Sequence, residues 1–443
     1  METHNANGAK RRHVNSYRGV KSTFVRLGRR IAAVLYEPQL LEESEREKDA
    51  SRIAVLVMHS DEDYLTCPTG PELARRGFRV LCANVMNKEG ILFTQNEKLR
   101  CVKDAMEYLR ALPGVKKVVL MGHSGGASLL TAYQCMAENG PEVFAGPEKL
   151  FPWRARHEMP PADGLMLLDA NWGNAVMQLF SLDPAVTDEQ SGKQLNADID
   201  LFTPRNGFEP GGSTFSAAFI RHYQVAQGQR NTRLIDKAQQ RLQKLEEGEG
   251  LYDDDEPFVI PGSAQSFFNN KLFAQDIRLM SHTHEPQLLI HPDGSVTREI
   301  VYSVRHAENP QSMTGSFWEG ARFLSVKTYL SSYAIRTEED FGYDEDHVWG
   351  IDWSSSYAAA PGNVEKIHVP MLVMGMTGGW EYLASETIYN MSAAQDKQLA
   401  FVEGASHRFT PAKEYEKHKG QFGDTMKTLH DYVAAWLEEE GRF

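Results

Sequence analysis

Lys117-Val118-Val119-Leu120-Met121-Gly122-His123-Ser124-Gly125-Gly126 joins an apolar run to a glycine-rich turn. Four apolar residues in a row, two of them β-branched, predict a buried strand. A G-x-S-x-G pentapeptide follows at once, and Ala127 to Tyr133 continues as a helix. Strand, sharp turn and helix in that order are the setting of a nucleophile elbow. Side chains at positions 122 and 126 would collide with the neighbouring strand and with the packed helix, so glycine is required there. The turn exposes the Ser124 hydroxyl. It also aims the first free N–H groups of the helix, Gly125 foremost, at a single oxyanion.

Working outward, Phe24 to Pro38 predicts two short strands and Arg52 to His59 a stronger one, ending in His59-Ser60-Asp61. A helix over Gly70 to Arg76, a strand over Phe78 to Asn84 and a helix over Glu97 to Leu112 lead to the elbow. Beyond it, Gly164 to Leu168 is another apolar run, closed by Asp169. Short apolar runs alternating with amphipathic helices predict an α/β fold, a mostly parallel central sheet with helices on both faces. Right-handed crossovers place the strand C-termini on one edge, where ligands bind.

From Asn171 the alternation stops, and it resumes only at His368 to Met376, about 190 residues later. A loop of that length must be a domain or a cap. The expected division is a polar N-terminal extension (1–23), a core (24–170 and 361–443) and a cap or lid (171–360). The insertion contains a long polar helix from Ala217 to Glu247 and an acidic turn, Glu246 to Glu256. Short strands are expected at Gln287 to His291 and Glu299 to Val304. After a helix over Ser385 to Gln395, the apolar segment Leu399 to Val402 runs into Glu403-Gly404-Ala405-Ser406-His407. A histidine in a glycine-containing turn after the last strand can reach back over the sheet edge toward Ser124, 283 positions earlier.

These residues resemble the α/β-hydrolase superfamily, specifically its serine-esterase and lipase-like members with a large inserted cap. The likeness covers about 24–170 and 361–443. It rests on Gly122-His123-Ser124-Gly125-Gly126, His59-Ser60, Val369-Pro370-Met371-Leu372-Val373 and Gly404-Ala405-Ser406-His407. The resemblance implies that Ser124 attacks, His407 is the general base and an acid orients the histidine. It also implies a second oxyanion donor from the Ser60 and Asp61 turn, where serine replaces the family's glycine. The acid's usual register falls on Gly379, which cannot serve. Asp169, at the end of the preceding strand, is then the leading candidate, with Glu381 and Glu386 as alternatives.

His123 reads as a structural group beside the nucleophile and His59 as a turn-stabilising residue; with Trp172 they are the candidate substrate contacts. The insertion is rich in large side chains, among them Trp172, Met177, Phe180, Phe267, Phe317 and Trp353. Those facing the serine would favour an apolar substrate.

The expected chemistry is cleavage of a small-molecule carboxylic ester or lactone through an acyl-enzyme, needing no metal and no organic cofactor. Carbon–carbon or amide hydrolysis uses the same parts, and a non-catalytic binding protein on the same scaffold is the third reading. A net charge of −13 argues against nucleic acid or an anionic membrane as a partner. No segment is long and apolar enough to cross a bilayer, and Met1 to His13 lacks the apolar centre of a secretion signal, so a cytoplasmic location is expected. Cys67, Cys82, Cys101 and Cys135 lack metal-type spacing and read as reduced thiols. His282-Thr283-His284-Glu285 reads as a surface loop.

Overall fold

The structure, a computed structural model, describes residues 18–39, 52–85, 93–155, 158–264, 271–307 and 320–443. Its centre is built from apolar runs whose alternate side chains enter opposite layers. In the strand Ile53–Met58, Ala54, Leu56 and Met58 join one core while Ile53, Val55 and Val57 join the other. The elbow strand does the same, Val118 and Leu120 on one side, Val119 and Met121 on the other. A strand buried on both faces has no polar side to show, which is why these runs are continuous rather than alternating.

In chain order the strands are β1 (Val20–Leu27), β2 (Ile31–Pro38), β3 (Ile53–Met58), β4 (Arg79–Val85), β5 (Lys117–Ser124) and β6 (Gly164–Ala170). The insertion carries β7 (Pro257–Ile260), β8 (Gln287–Ile290), β9 (Val296–Glu299), β10 (Arg322–Ser325), β11 (Thr337–Tyr343) and β12 (Val348–Ile351). The last two are β13 (Met371–Met376) and β14 (Lys397–Val402). Ten of them form one sheet in the order β1-β2-β4-β3-β5-β6-β13-β14-β8-β9. Every neighbouring pair from β4 to β8 is parallel, and antiparallel pairs flank that stretch on both sides.

The helices that cover the sheet include α1 (Thr69–Arg75), α2 (Gln95–Ala111) and α3 (Gly126–Asn139). α4 (Asn174–Phe180) and α5 (Ala217–Glu246) belong to the insertion, and α6 (Tyr382–Met391) and α7 (Thr425–Leu437) follow it. α2 starts two residues before its expected origin because Thr94 and Glu97 form a reciprocal capping box. α7, which the sequence reading does not anticipate, is capped by Asp424 and buries Leu429, Val433, Trp436 and Leu437 against the sheet.

β6 and β13 are adjacent, so the whole insertion leaves and re-enters between two paired strands. Part of it has a core of its own, with Leu234, Ile235 and Ala238 of α5 packed with Phe258, Leu324 and Tyr329. The segment expected to be purely a cap nevertheless extends the central sheet, because β8 pairs with β14 and β9 with β8. β9 begins earlier than expected since Gly294, at a φ of +84°, closes a tight turn in which His291 N–H donates to Ser295 O. The core begins earlier too: β1 starts at Val20, inside the expected N-terminal extension. The acidic turn is largely exposed, but Glu256 is buried and paired with Arg241. Met1 to His13, Phe267 and Phe317 lie outside the described residues. Among the described residues no helix is long and apolar enough to cross a membrane.

Candidate active site

Ser124 stands at the C-terminal end of β5 with a φ of +53°, a left-handed conformation rare for a residue with a side chain. The glycines around it are sterically enforced. A Cβ at Gly126 would lie 2.4 Å from Met58 O, and one at Gly122 would lie 2.9 Å from Ala127 Cα. β3 and α3 therefore approach the turn too closely for any other residue. One strand over, at the end of β6, Asp169 is also left-handed, at +45°, and fully buried. Two strained side-chain-bearing residues side by side on a strand edge cost on the order of 1–3 kcal/mol each. Such strain persists only where the surroundings hold it in place.

Asp169 Oδ1 accepts the Met376 N–H at 2.8 Å, which ties the carboxylate to the end of β13. Its Oδ2 accepts from His407 Nδ1 at 2.6 Å. Of the three candidate acids, the structure thus brings Asp169 to the histidine. Glu386 is engaged elsewhere, accepting from His284 N at 2.7 Å, Glu285 N at 3.0 Å and Gln287 Nε2 at 2.8 Å. Glu381 sits at the start of α6, its carboxylate accepting the Trp380 N–H at 3.3 Å.

Burial alone would lower the His407 pKa, but the carboxylates of Glu381 and Asp169 overcome it and hold the imidazole up at about 9. Burial raises Asp169 above the ordinary carboxylate value, opposed by its bond to His407.

His123 precedes Ser124 in the chain and braces His407. Its Nε2 donates to His407 O at 2.7 Å, its Nδ1 accepts from the Tyr64 hydroxyl, and its ring lies 4.5 Å from that of His407. Burial, then the nearby His407 and His59, keep its pKa well below the ordinary value. Both ring nitrogens face protein, so this neutral imidazole buttresses the His407 loop rather than a substrate. Trp172 is likewise a packing residue, 1% exposed, edge-on to Phe180 with its indole N–H donating to Thr387 Oγ1 at 3.2 Å.

The turn after β3 departs from expectation at one donor. His59 Nδ1 accepts the N–H of Asp61 at 3.0 Å and of Glu62 at 2.9 Å, so the Asp61 N–H does not face an oxyanion. Burial pushes His59 down to about 4, and with Nδ1 accepting, its proton resides on Nε2. The Asp61 side chain is the hub instead. Oδ1 accepts from Lys98 Nζ at 2.7 Å, and Oδ2 accepts from the Tyr333 hydroxyl at 2.6 Å, Asn174 Nδ2 at 2.9 Å and Ser60 Oγ at 3.2 Å. Burial opposes the ionised form, but Lys98 and Arg322 hold the Asp61 carboxyl far below the usual range. Three elements, the turn after β3, α2 and the insertion, are locked together by this carboxylate.

The sequence reading missed Lys98, Asn174, Tyr333 and Asn171. A signal existed for Lys98, which falls in register with Val102, Ala105 and Leu109 on the buried stripe of α2 and so needed a buried partner. Asn171 Nδ2 donates to Ser124 Oγ at 3.4 Å, two positions beyond Asp169.

A strand order of 1-2-4-3-5-6 continuing into β13 and β14, with a G-x-S-x-G elbow after the fifth strand and a histidine after β14, decides the architecture. The chain is an α/β-hydrolase by fold. No protein-family model matches it, and no curated protein does. Among solved structures, the chain is similar to a hypothetical protein from Pseudomonas aeruginosa, at 13% identity over 95% of this chain and 94% of that one, with a TM-score of 0.43. It is also similar to the siderophore hydrolase EstB from Aspergillus fumigatus, at 11% identity over 95% and 98% of the two chains, TM-score 0.42. A soluble variant of monoglyceride lipase from Saccharomyces cerevisiae shows 10% identity over 97% of each chain, TM-score 0.41.

Among the described residues, two groups bring potential metal ligands within 4.8 Å of one another: His123, Asp169 and His407, and the more exposed His284, Asp346 and His347. In the first, hydrogen bonds already engage both His123 nitrogens and His407 Nδ1. In the second, Asp346 receives His284 Nδ1 at 3.1 Å and His347 Nδ1 at 2.5 Å, an ion-pair cluster that pins the β11–β12 turn. The four cysteines are free and buried, and burial raises each thiol above its ordinary pKa, Cys67 and Cys101 to about 11 and Cys135 to about 12. Thiols so raised are packing groups rather than nucleophiles. An open groove of about 680 Å³ lies between α5 and β11 and is lined by none of the residues around Ser124.

Proposed function

We propose that this protein is a serine hydrolase cleaving a carboxylic ester or lactone of a largely apolar small molecule through an acyl-enzyme. The observation that carries the reading is the 2.6 Å contact between His407 Nδ1 and buried Asp169, made at the strand edge where Ser124 is held at positive φ. With Nδ1 bonded to the carboxylate, Nε2 is the nitrogen left to act as base.

In this account Ser124 Oγ bonds to the carbonyl carbon and its proton passes to His407 Nε2. The carbonyl π pair moves onto oxygen, which Gly125 N–H and the turn after β3 stabilise. Collapse expels the alcohol, which takes the proton from His407, and the same base then activates water to release the acid. Asp169 keeps the imidazole oriented and offsets its charge. The preference for an apolar substrate rests on the aromatic residues of the insertion alone; the contacts of the insertion with the turn after β3, the Tyr333 hydroxyl to Asp61 and Asn174 Nδ2 to Ser60 Oγ, are polar.

Turnover of short chromogenic esters tests the reading. Ser124→Ala should abolish hydrolysis while leaving the circular dichroism spectrum and thermal midpoint in place; full activity in that variant would refute it. A panel of diketones and amides run beside the esters separates ester cleavage from carbon–carbon or amide hydrolysis.

A further inference from the structure

The oxyanion turn is one donor short of what its sequence promised, because His59 Nδ1 takes the N–H groups of both Asp61 and Glu62. A donor of a different kind, a side-chain amide, reaches Ser124 from the residue that follows β6. We propose that Asn171 Nδ2 donates a hydrogen bond to the tetrahedral intermediate formed on Ser124 Oγ, an inference that rests on the serine-hydrolase reading.

The amide is oriented without ambiguity. Asn171 Oδ1 accepts the Gly173 N–H at 2.9 Å, so the nitrogen must be the atom turned to Ser124. It is also rigid. Asn171 is 5% exposed, and Gly173 has a φ of +122° with a Cβ position only 2.3 Å from Ala358 O, so the turn that holds the amide is sterically fixed. Asn171 Nδ2 has no hydrogen-bond partner besides Ser124 Oγ among the described residues.

At 3.4 Å that bond is long for a ground-state contact with a hydroxyl. A preorganised donor is tuned to where charge develops, about 2.7–3.1 Å from the oxyanion rather than from the resting nucleophile. When Oγ bonds to carbon, the carbonyl π electrons become a lone pair on an oxygen attached to that carbon, displaced from Oγ toward the surrounding donors. The Asn171 N–H then donates to a full negative charge, and such a charge-assisted bond is stronger than one to a neutral hydroxyl. The interaction is made in the transition state and hardly in the free enzyme, the condition for raising kcat rather than lowering KM.

Asn171→Asp is the decisive variant, since it keeps the acceptor for Gly173 N–H and removes the donor. Asn171→Ala controls for the added charge beside Asp169, and both are assayed above the His407 pKa. The expected result in both is a fall of about 10²–10³-fold in kcat, with KM within a few-fold and the thermal midpoint of Asn171→Asp close to wild type. If wild type hydrolyses esters and both variants keep kcat within about twofold, far short of that loss, the assignment to Asn171 is overturned while the hydrolase reading stands. If kcat and the thermal midpoint fall together in Asn171→Ala but Asn171→Asp retains full kcat, Asn171 only supports the turn and the inference fails. Wild type that neither hydrolyses esters nor is modified at Ser124 overturns both.

Discussion

At Gly126 the nearest obstacle to a side chain is a backbone oxygen, Met58 O, which cannot swing away as a flexible side chain would. Gly126→Ala should therefore lower stability by about 1–3 kcal/mol through overpacking, read as a drop in the urea midpoint, and displace the serine turn enough to cost activity. A variant as stable and active as wild type would contradict the tight approach of β3. His407 makes a second prediction at this scale. Carboxylates stabilise the imidazolium, so the free base is scarce at neutral pH and kcat/KM should rise as pH increases, levelling above an inflection near 9. Removing one carboxylate by Glu381→Gln lowers the His407 pKa and should move that inflection to lower pH. An inflection unmoved by the substitution would show that Glu381 does not act on the histidine. The motif around Ser124 was legible because each requirement is local: apolar strand, two glycines, helix. Asn171 was not, because an asparagine directly after a strand is an ordinary turn residue until the facing serine is placed in space.

Between elements, the Asp61 carboxylate is the knot. Lys98 on α2 has a fully buried side chain whose ammonium bonds Asp61, and Tyr333 and Asn174 bring the insertion to the same carboxylate. Lys98→Met removes one partner of a buried pair and should cost about 3–5 kcal/mol. It is expected at the low end, since Tyr333 and Asn174 still donate to Asp61. Chemical denaturation measures it, and a midpoint equal to wild type would show that the pair contributes nothing net. Element existence was readable from apolar runs and amphipathic faces, while element boundaries depended on caps such as Thr94 and Glu97. Register explains the uncertainty over the acid. Two adjacent strands, β6 and β13, end at the same edge, and only their pairing shows that Asp169 is tied to Met376 and faces His407.

Over the whole molecule, about 190 residues enter and leave between two paired strands without disturbing their parallel register. The sequence announced that interruption because sheet alternation stops at Asn171 and returns at His368. It did not announce that β8 and β9 would extend the sheet beyond β14, since their short runs lack the long apolar signature of the central strands. One consequence is that the last strand of the core is flanked on both sides, and the turn that follows it is bonded to β8, Glu403 N–H donating to Ile290 O at 3.0 Å. A hydroxyl in β5 and an imidazole after β14 are proposed to form one reactive unit, and exposure to a fluorophosphonate followed by peptide mass spectrometry reads it out. One adduct is expected, on the peptide containing Ser124, formed far more slowly in His407→Ala. No adduct at Ser124, or an equal rate without the histidine, would contradict it.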